Sequence, residues 1–217
     1  MSEKKKKSKL FSFQYWLHDF VKLTAAPGLL YYRPRVIYTD PSSRGELKKG
    51  ALLISNHVGF SDPIYLQMAI WYRRHHFVCT KEFFEGRFRG WLFKRFLCIP
   101  IDRENMSMSS FREITDHLEA GDLVTLFPEG HVNTDETKTD AFKPGMVLMT
   151  LKSGRPIIPV YIRRRKSIWE RLTVVVGPPV NAGAELGGRP SMGKITEFTK
   201  RLHDLEEDLE NTANRRQ

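Results

Sequence analysis

The chain has 217 residues, 41% hydrophobic and 28% charged, an ordinary globular balance that excludes wholesale disorder. Its 35 basic and 25 acidic residues leave a net charge of +10, which favours an anionic partner: phosphate esters, an anionic membrane face or nucleic acid. The two cysteines, Cys79 and Cys98, form no C-x-x-C pair and exclude a disulfide scaffold or zinc ribbon.

Residues 1–9 are polar and rich in lysine, with Lys4, Lys5, Lys6, Lys7 and Lys9 close together. Beyond them Phe13, Trp16, Leu17, Phe20 and Val21 recur at helical spacing, and Pro27 and Gly28 are expected to end that helix. A basic tail followed by an aromatic amphipathic segment suits either a helix packed on the domain or one lying in a membrane interface. The tail leads into no continuous apolar stretch, so no secretory signal is expected. No apolar run approaches the ~18 residues that a membrane span needs. Residues 1–30 are read as this tail and docking segment.

Residues 31–190 alternate. Short apolar runs at Arg35–Tyr38, Ala51–Ile54, Phe77–Thr80, Cys98–Ile101, Leu123–Phe127, Ile157–Ile162 and Leu172–Val176 read as strands. Helical stretches follow Pro63, start near Ser109 and stop at Gly121, and run from Pro144 to Gly154. Strands alternating with helices predict one α/β domain with a mostly parallel sheet flanked by helices. Residues 191–217 carry Ile195, Phe198, Leu202, Leu205 and Leu209, the stripe of an amphipathic helix docked on the core. Cys79 and Cys98 lie in apolar surroundings and read as buried thiols.

The chemistry concentrates in Ser55-Asn56-His57-Val58-Gly59-Phe60-Ser61-Asp62-Pro63, between a strand and a helix. His57 then lies at the C-terminal end of a strand, where open α/β sheets form their sites. Asp62 before Pro63 reads as a helix N-cap, and Gly59 allows a tight turn that folds the imidazole back on Asp62. A carboxylate on one ring nitrogen fixes the tautomer and leaves the other nitrogen as a base. No serine or cysteine is placed as a nucleophile, so the pair suits activation of a substrate hydroxyl. Two rival readings remain: a non-catalytic basic module that binds anionic lipid or nucleic acid, and a hydrolase or metalloenzyme using His57, Asp62, His75, His76 and His131. Those residues match no recognised metal spacing.

Four ordered blocks resemble the glycerolipid acyltransferases, specifically the lysophosphatidic acid acyltransferase family. Asn56-His57 with Asp62 is similar to the first signature, and Ile99-Pro100-Ile101-Asp102-Arg103 to the second. Phe127-Pro128-Glu129-Gly130 is similar to the third and Ile157-Ile158-Pro159-Val160 to the fourth. Thr80-Lys81-Glu82-Phe83-Phe84 and Phe142-Lys143-Pro144-Gly145 resemble the family's lysine-bearing segments, and the likeness runs from about residue 35 to 180.

The resemblance implies transfer of an acyl group from acyl-coenzyme A or acyl carrier protein to the free hydroxyl of a lysophospholipid. His57 and Asp62 would be catalytic. Asn56, Lys81, Arg103, Glu129, Gly130 and Pro159 would bind substrate, with Arg103 gripping the acceptor phosphate bidentately and Pro159 on the acyl side. The family commonly has serine at Gly59, and Thr-Arg-Ser where this chain reads His131-Val132-Asn133. Lysophosphatidate is the default acceptor, and another lysophospholipid stays open. No metal or redox cofactor is expected. The expected location is peripheral, on the cytoplasmic face of an anionic membrane, with no nucleic-acid partner.

Overall fold

β1 (Arg35–Tyr38), β2 (Leu52–Ser55), β3 (His75–Thr80), β4 (Ile99–Ile101), β5 (Leu123–Leu126), β6 (Ile157–Ile162) and β7 (Thr173–Val176) build one sheet. Its order is β1-β7-β6-β2-β5-β3-β4. Every pairing is parallel except β6 with β7. The computed structural model describes residues 13–102, 106–128, 142, 144–165, 167 and 169–215.

Parallel strands covered on both faces read as unbroken apolar runs, as β2 and β7 do here. Alternate side chains divide the core. Leu52, Ile54, Val124 and Ile157 face one layer of helices: α6 (Met108–Glu119), α7 (Gly145–Ser153) and α9 (Met192–Arg215). Leu53, Leu123, Ile158 and Val174 face the other, with Leu47 of α3 (Ser43–Lys49) and Leu66 of α4 (Asp62–Ala69). Each fully buried leucine is worth about 1.5–3 kcal/mol. α9 buries Ile195, Phe198, Leu202 and Leu209, and packs on β6 and β7.

The turns are tight where strands begin. Gly50 and Gly121 precede β2 and β5 with φ of +105° and +81°. A Cβ on Gly50 would lie 2.5 Å from the Gly121 backbone, so only glycine fits this close approach. α6 starts with the Ser107 hydroxyl accepting from the Ser110 amide at 3.1 Å.

Some expectations fail. α1 (Phe13–Thr24) ends ahead of Pro27 as expected, but a second helix not expected there, α2 (Pro27–Tyr32), opens at once, with proline in the first turn where its missing N–H costs nothing. α5 (Arg87–Arg95) and α8 (Ala182–Leu186) are further helices without a sequence signal strong enough to predict them. Cys79 and Cys98 are half-buried rather than buried, and their thiols donate to the Phe77 and Phe96 carbonyls at 3.7 and 3.9 Å. Arg73, Arg74, His75 and His76 are tied into the fold. His75 and His76 are buried, Arg73 donates to the Lys48 and Gly121 carbonyls, and Arg74 donates to Asp19 at 2.9 Å.

Candidate active site

The site grows from the end of β2. Ser55 and Asn56 are buried, and the chain then leaves the sheet as a loop to α4. His57 Nδ1 lies 2.7 Å from Asp62 Oδ2. The same oxygen accepts the Gly59 amide at 2.9 Å. The Asp62 side chain is 0% exposed and that of His57 17%. A carboxylate so held fixes the imidazole with its proton on Nδ1, leaving the Nε2 lone pair as the basic position. The His57 ring stacks on Phe127, with centroids 4.3 Å apart and planes 20° apart. Phe127 directly follows β5, so the sheet supplies both the base and the surface that steadies it.

Asp62 is the first residue of α4 rather than its cap; Ser61 holds the cap position, and the carboxylate is spent on His57 and Gly59. Gly59 has no positive φ, and a Cβ there would meet nothing within 4 Å. Its contribution is its amide rather than its freedom, and a serine side chain would fit in its place.

Asn56 serves the loop. Its Nδ2 donates to the Ile162 carbonyl at 3.0 Å, and its Oδ1 accepts the Ile162 amide at 2.8 Å. Both halves of the carboxamide bond β6, so Asn56 anchors the strand exit. Pro159 is likewise a buried β6 residue, paired with Ile54 and packed against Gly177 under α9. That placement is an interior strand position.

Lys81 begins the short 3-10 turn after β3, and Asp102 follows β4, so both stand at the sheet edge that carries His57. The Lys81 ammonium donates to Asp102 at 2.5 Å. Arg103, Glu129, Gly130, His131 and Lys143 lie outside the described residues. Their neighbours Asp102 and Pro128 bring the chain to this edge on either side of β3. Phe127 was the functional neighbour that sequence reading missed; its place before Pro128-Glu129-Gly130 was the available signal.

Comparison with known proteins agrees with this geometry. The profile of the Acyltransferase family matches residues 33–163. A 1-acyl-sn-glycerol-3-phosphate acyltransferase of Bacillus subtilis is 26% identical over 167 residues, covering 75% of this chain and 82% of that protein. One of the same name from Streptococcus pneumoniae is 31% identical over 91 residues, 42% of this chain and 34% of that protein. The crystal structure of the 1-acyl-sn-glycerophosphate acyltransferase of Thermotoga maritima superposes with a TM-score of 0.61, covering 92% of this chain and 80% of that one. At 15% identity that likeness speaks for the fold. The family profile spans more than half of the chain and contains the His57–Asp62 pair, so the protein belongs to the acyltransferase family.

Proposed function

We propose that the protein moves a fatty acyl group from an acyl thioester, on coenzyme A or acyl carrier protein, to the free hydroxyl of 1-acyl-glycerol-3-phosphate, giving phosphatidic acid. The observation that carries this is the buried Asp62 carboxylate, 2.7 Å from His57 Nδ1, at the strand-end edge of an acyltransferase sheet. Similarity to proteins named for that substrate supports the choice of acceptor.

The chemistry needs one proton carried out and back. His57 Nε2 takes the acceptor hydroxyl proton as its oxygen attacks the thioester carbonyl. Asp62 stabilises the imidazolium. The tetrahedral oxyanion collapses, the carbon–sulfur bond breaks, and the proton returns from His57 to the leaving thiolate. Arg103 is assigned the acceptor phosphate, Lys81 is a second phosphate candidate at the sheet edge that carries His57, and Glu129 with Gly130 is assigned the glycerol. Each step uses proton transfer and hydrogen bonding, so the scheme asks for no metal or redox group.

The substrate is a membrane amphiphile, and no helix of the described residues is long and apolar enough to cross a membrane. We place the protein peripherally, on a cytoplasmic anionic face. On α1, Trp16, Phe20 and Leu23 are exposed at 59%, 49% and 68%, while His18 faces inward. Phe60 and Ile64, beside the His57 loop, are exposed too. Five lysines upstream would each add about 1 kcal/mol on an anionic leaflet. A polybasic stretch plus apolar insertion is the two-signal arrangement for stable docking.

Phosphatidic acid formed from palmitoyl-coenzyme A should appear with lysophosphatidate and not with lysophosphatidylcholine. The Arg103→Ala variant should need more of the phosphorylated acceptor. Equal use of both acceptors would overturn the assignment of the headgroup. Deleting residues 1–24 should weaken vesicle binding more than turnover of a soluble short-chain acceptor; equal loss of both would contradict the docking role.

A further inference from the structure

The opposite end of the sheet carries a second His–carboxylate constellation that acyl transfer does not use. α6 ends with the Gly121 amide donating to the Leu118 carbonyl at 2.9 Å and the Asp122 amide to the His117 carbonyl at 3.0 Å. These two bonds, with Gly121 at φ +81°, form the Schellman helix end. That reversal brings two side chains together: His117 Nδ1 lies 2.9 Å from Asp122 Oδ2. β5 begins at the next residue, and its neighbour β3 sets His76 beside Val124. The buried His76 ring lies 4.3 Å from that of His117, centroid to centroid. One ligating atom from each of His76, His117 and Asp122 falls within 4.8 Å of the others.

We infer that His76, His117 and Asp122 form a binding site for a zinc-class divalent metal ion at the N-terminal edge of the sheet. Two imidazoles and a carboxylate are a donor set that Zn²⁺ takes, at ~2.0–2.2 Å per bond, whereas Ca²⁺ and Mg²⁺ want oxygen. Bonds of that length set tetrahedral neighbours about 3.3 Å apart. The His117–Asp122 pair therefore already stands near metal spacing, and His76 has only to close in. The helix-end bonds hold that pair in place before any ion arrives.

His76 and His117 line a cleft of about 680 Å³ together with Trp91, Lys94 and Glu113, from which water would take the fourth position. His76 and Asp122 also line the cleft beneath α1, beside Asp19 and Lys22. A bound ion would thus tie together α6, β3 and the start of β5, just under the N-terminal helix. Arg73 is close enough to Asp122 for their charges to interact, which moderates affinity for a cation. The site is independent of the acyl-transfer reading, because β2, β5 and β3 run parallel and His57 lies at their far ends.

The test titrates Zn²⁺ into the untagged full-length chain, stripped with chelator, by calorimetry. Co²⁺ then serves as the absorption probe of tetrahedral geometry. One Zn²⁺ should bind per chain, and Mg²⁺ should not compete. His117→Ala and Asp122→Asn should each weaken binding at least about 100-fold, more than loss of an outer partner of a ligand costs. Asp122→Asn keeps the shape of the turn and covers the case in which His117→Ala fails to fold. The Cys79→Ser/Cys98→Ser variant should bind like wild type. At a hundredfold excess over the dissociation constant, Zn²⁺ should raise Tm by about 5–10 °C. No saturable binding, equal binding by Asp122→Asn, or loss of binding in the cysteine variant would each overturn the assignment.

Discussion

Two His–Asp pairs, each separated by five positions, stand at opposite ends of one sheet: His57 with Asp62, and His117 with Asp122. Their Nδ1–Oδ2 distances are nearly equal, 2.7 and 2.9 Å. Their surroundings differ. Asp62 is wholly buried, also accepts the Gly59 amide, and faces the His57 imidazole, stacked on Phe127 and with no second histidine beside it among the described residues. Asp122 and His117 are 16% and 28% exposed, and a second imidazole lies against the first. A locked carboxylate beside one histidine makes an oriented base, whereas a looser carboxylate beside two makes a ligand set. Spacing alone does not separate the two.

Variants can break this comparison. Asp62→Asn should lower kcat about 10²–10⁴-fold with the fold intact, because the amide no longer holds the imidazole in the right tautomer or balances its charge. Thiol-release kinetics read this, and a loss below tenfold would detach Asp62 from the base.

At the other edge, Gly121→Ala should cost about 1–3 kcal/mol in denaturant unfolding. Its φ is +81°, and a Cβ would lie 2.9 Å from the Lys49 carbonyl oxygen. A neutral result would mean that the helix end is not held as described.

Acid should also strike the N-terminal edge. His75 is fully buried on β3, donating to or accepting from Thr125 at 2.8 Å, and desolvation holds its pKa down at about 3. Lys22, His18, His76 and Arg73 push in the same direction. The unfolded chain binds a proton near pH 6.5 that the folded chain refuses, so the stability is whole above pH 6.5 and drains as pH falls towards 3. The slope is at most about 1.4 kcal/mol per pH unit for each such proton. His75→Asn should flatten the pH dependence of the unfolding midpoint between about pH 6 and 4; an unchanged slope would place the acid sensitivity elsewhere.

The smallest effect belongs to Gly59→Ala, which should shift stability by no more than about 0.5 kcal/mol. Open space and an ordinary φ surround it. A large loss would restore the tight-turn role expected from sequence.

All seven strands were legible because strands buried on both faces become apolar runs between turn residues. α3 and α5 were not, since Ser43–Lys49 and Arg87–Arg95 are short, charged and stabilised by packing rather than by pattern. The His57–Asp62 pair was legible because both residues share one loop. Asn56 and Pro159 were placed by resemblance, and their structural duties follow from β6, which no local pattern reveals. The His76–His117–Asp122 cluster stayed hidden for the same reason: the pairing of β3 with β5 joins distant parts of the chain.

The central claim is that His57, aligned by Asp62, is the base of acyl transfer. The most direct measurement is free-thiol release from palmitoyl-coenzyme A, with and without lysophosphatidate, by the wild type and His57→Ala. The account predicts acceptor-dependent release that falls about 10²–10⁴-fold in the variant. Near-normal acceptor-dependent release by a folded His57→Ala protein would contradict it.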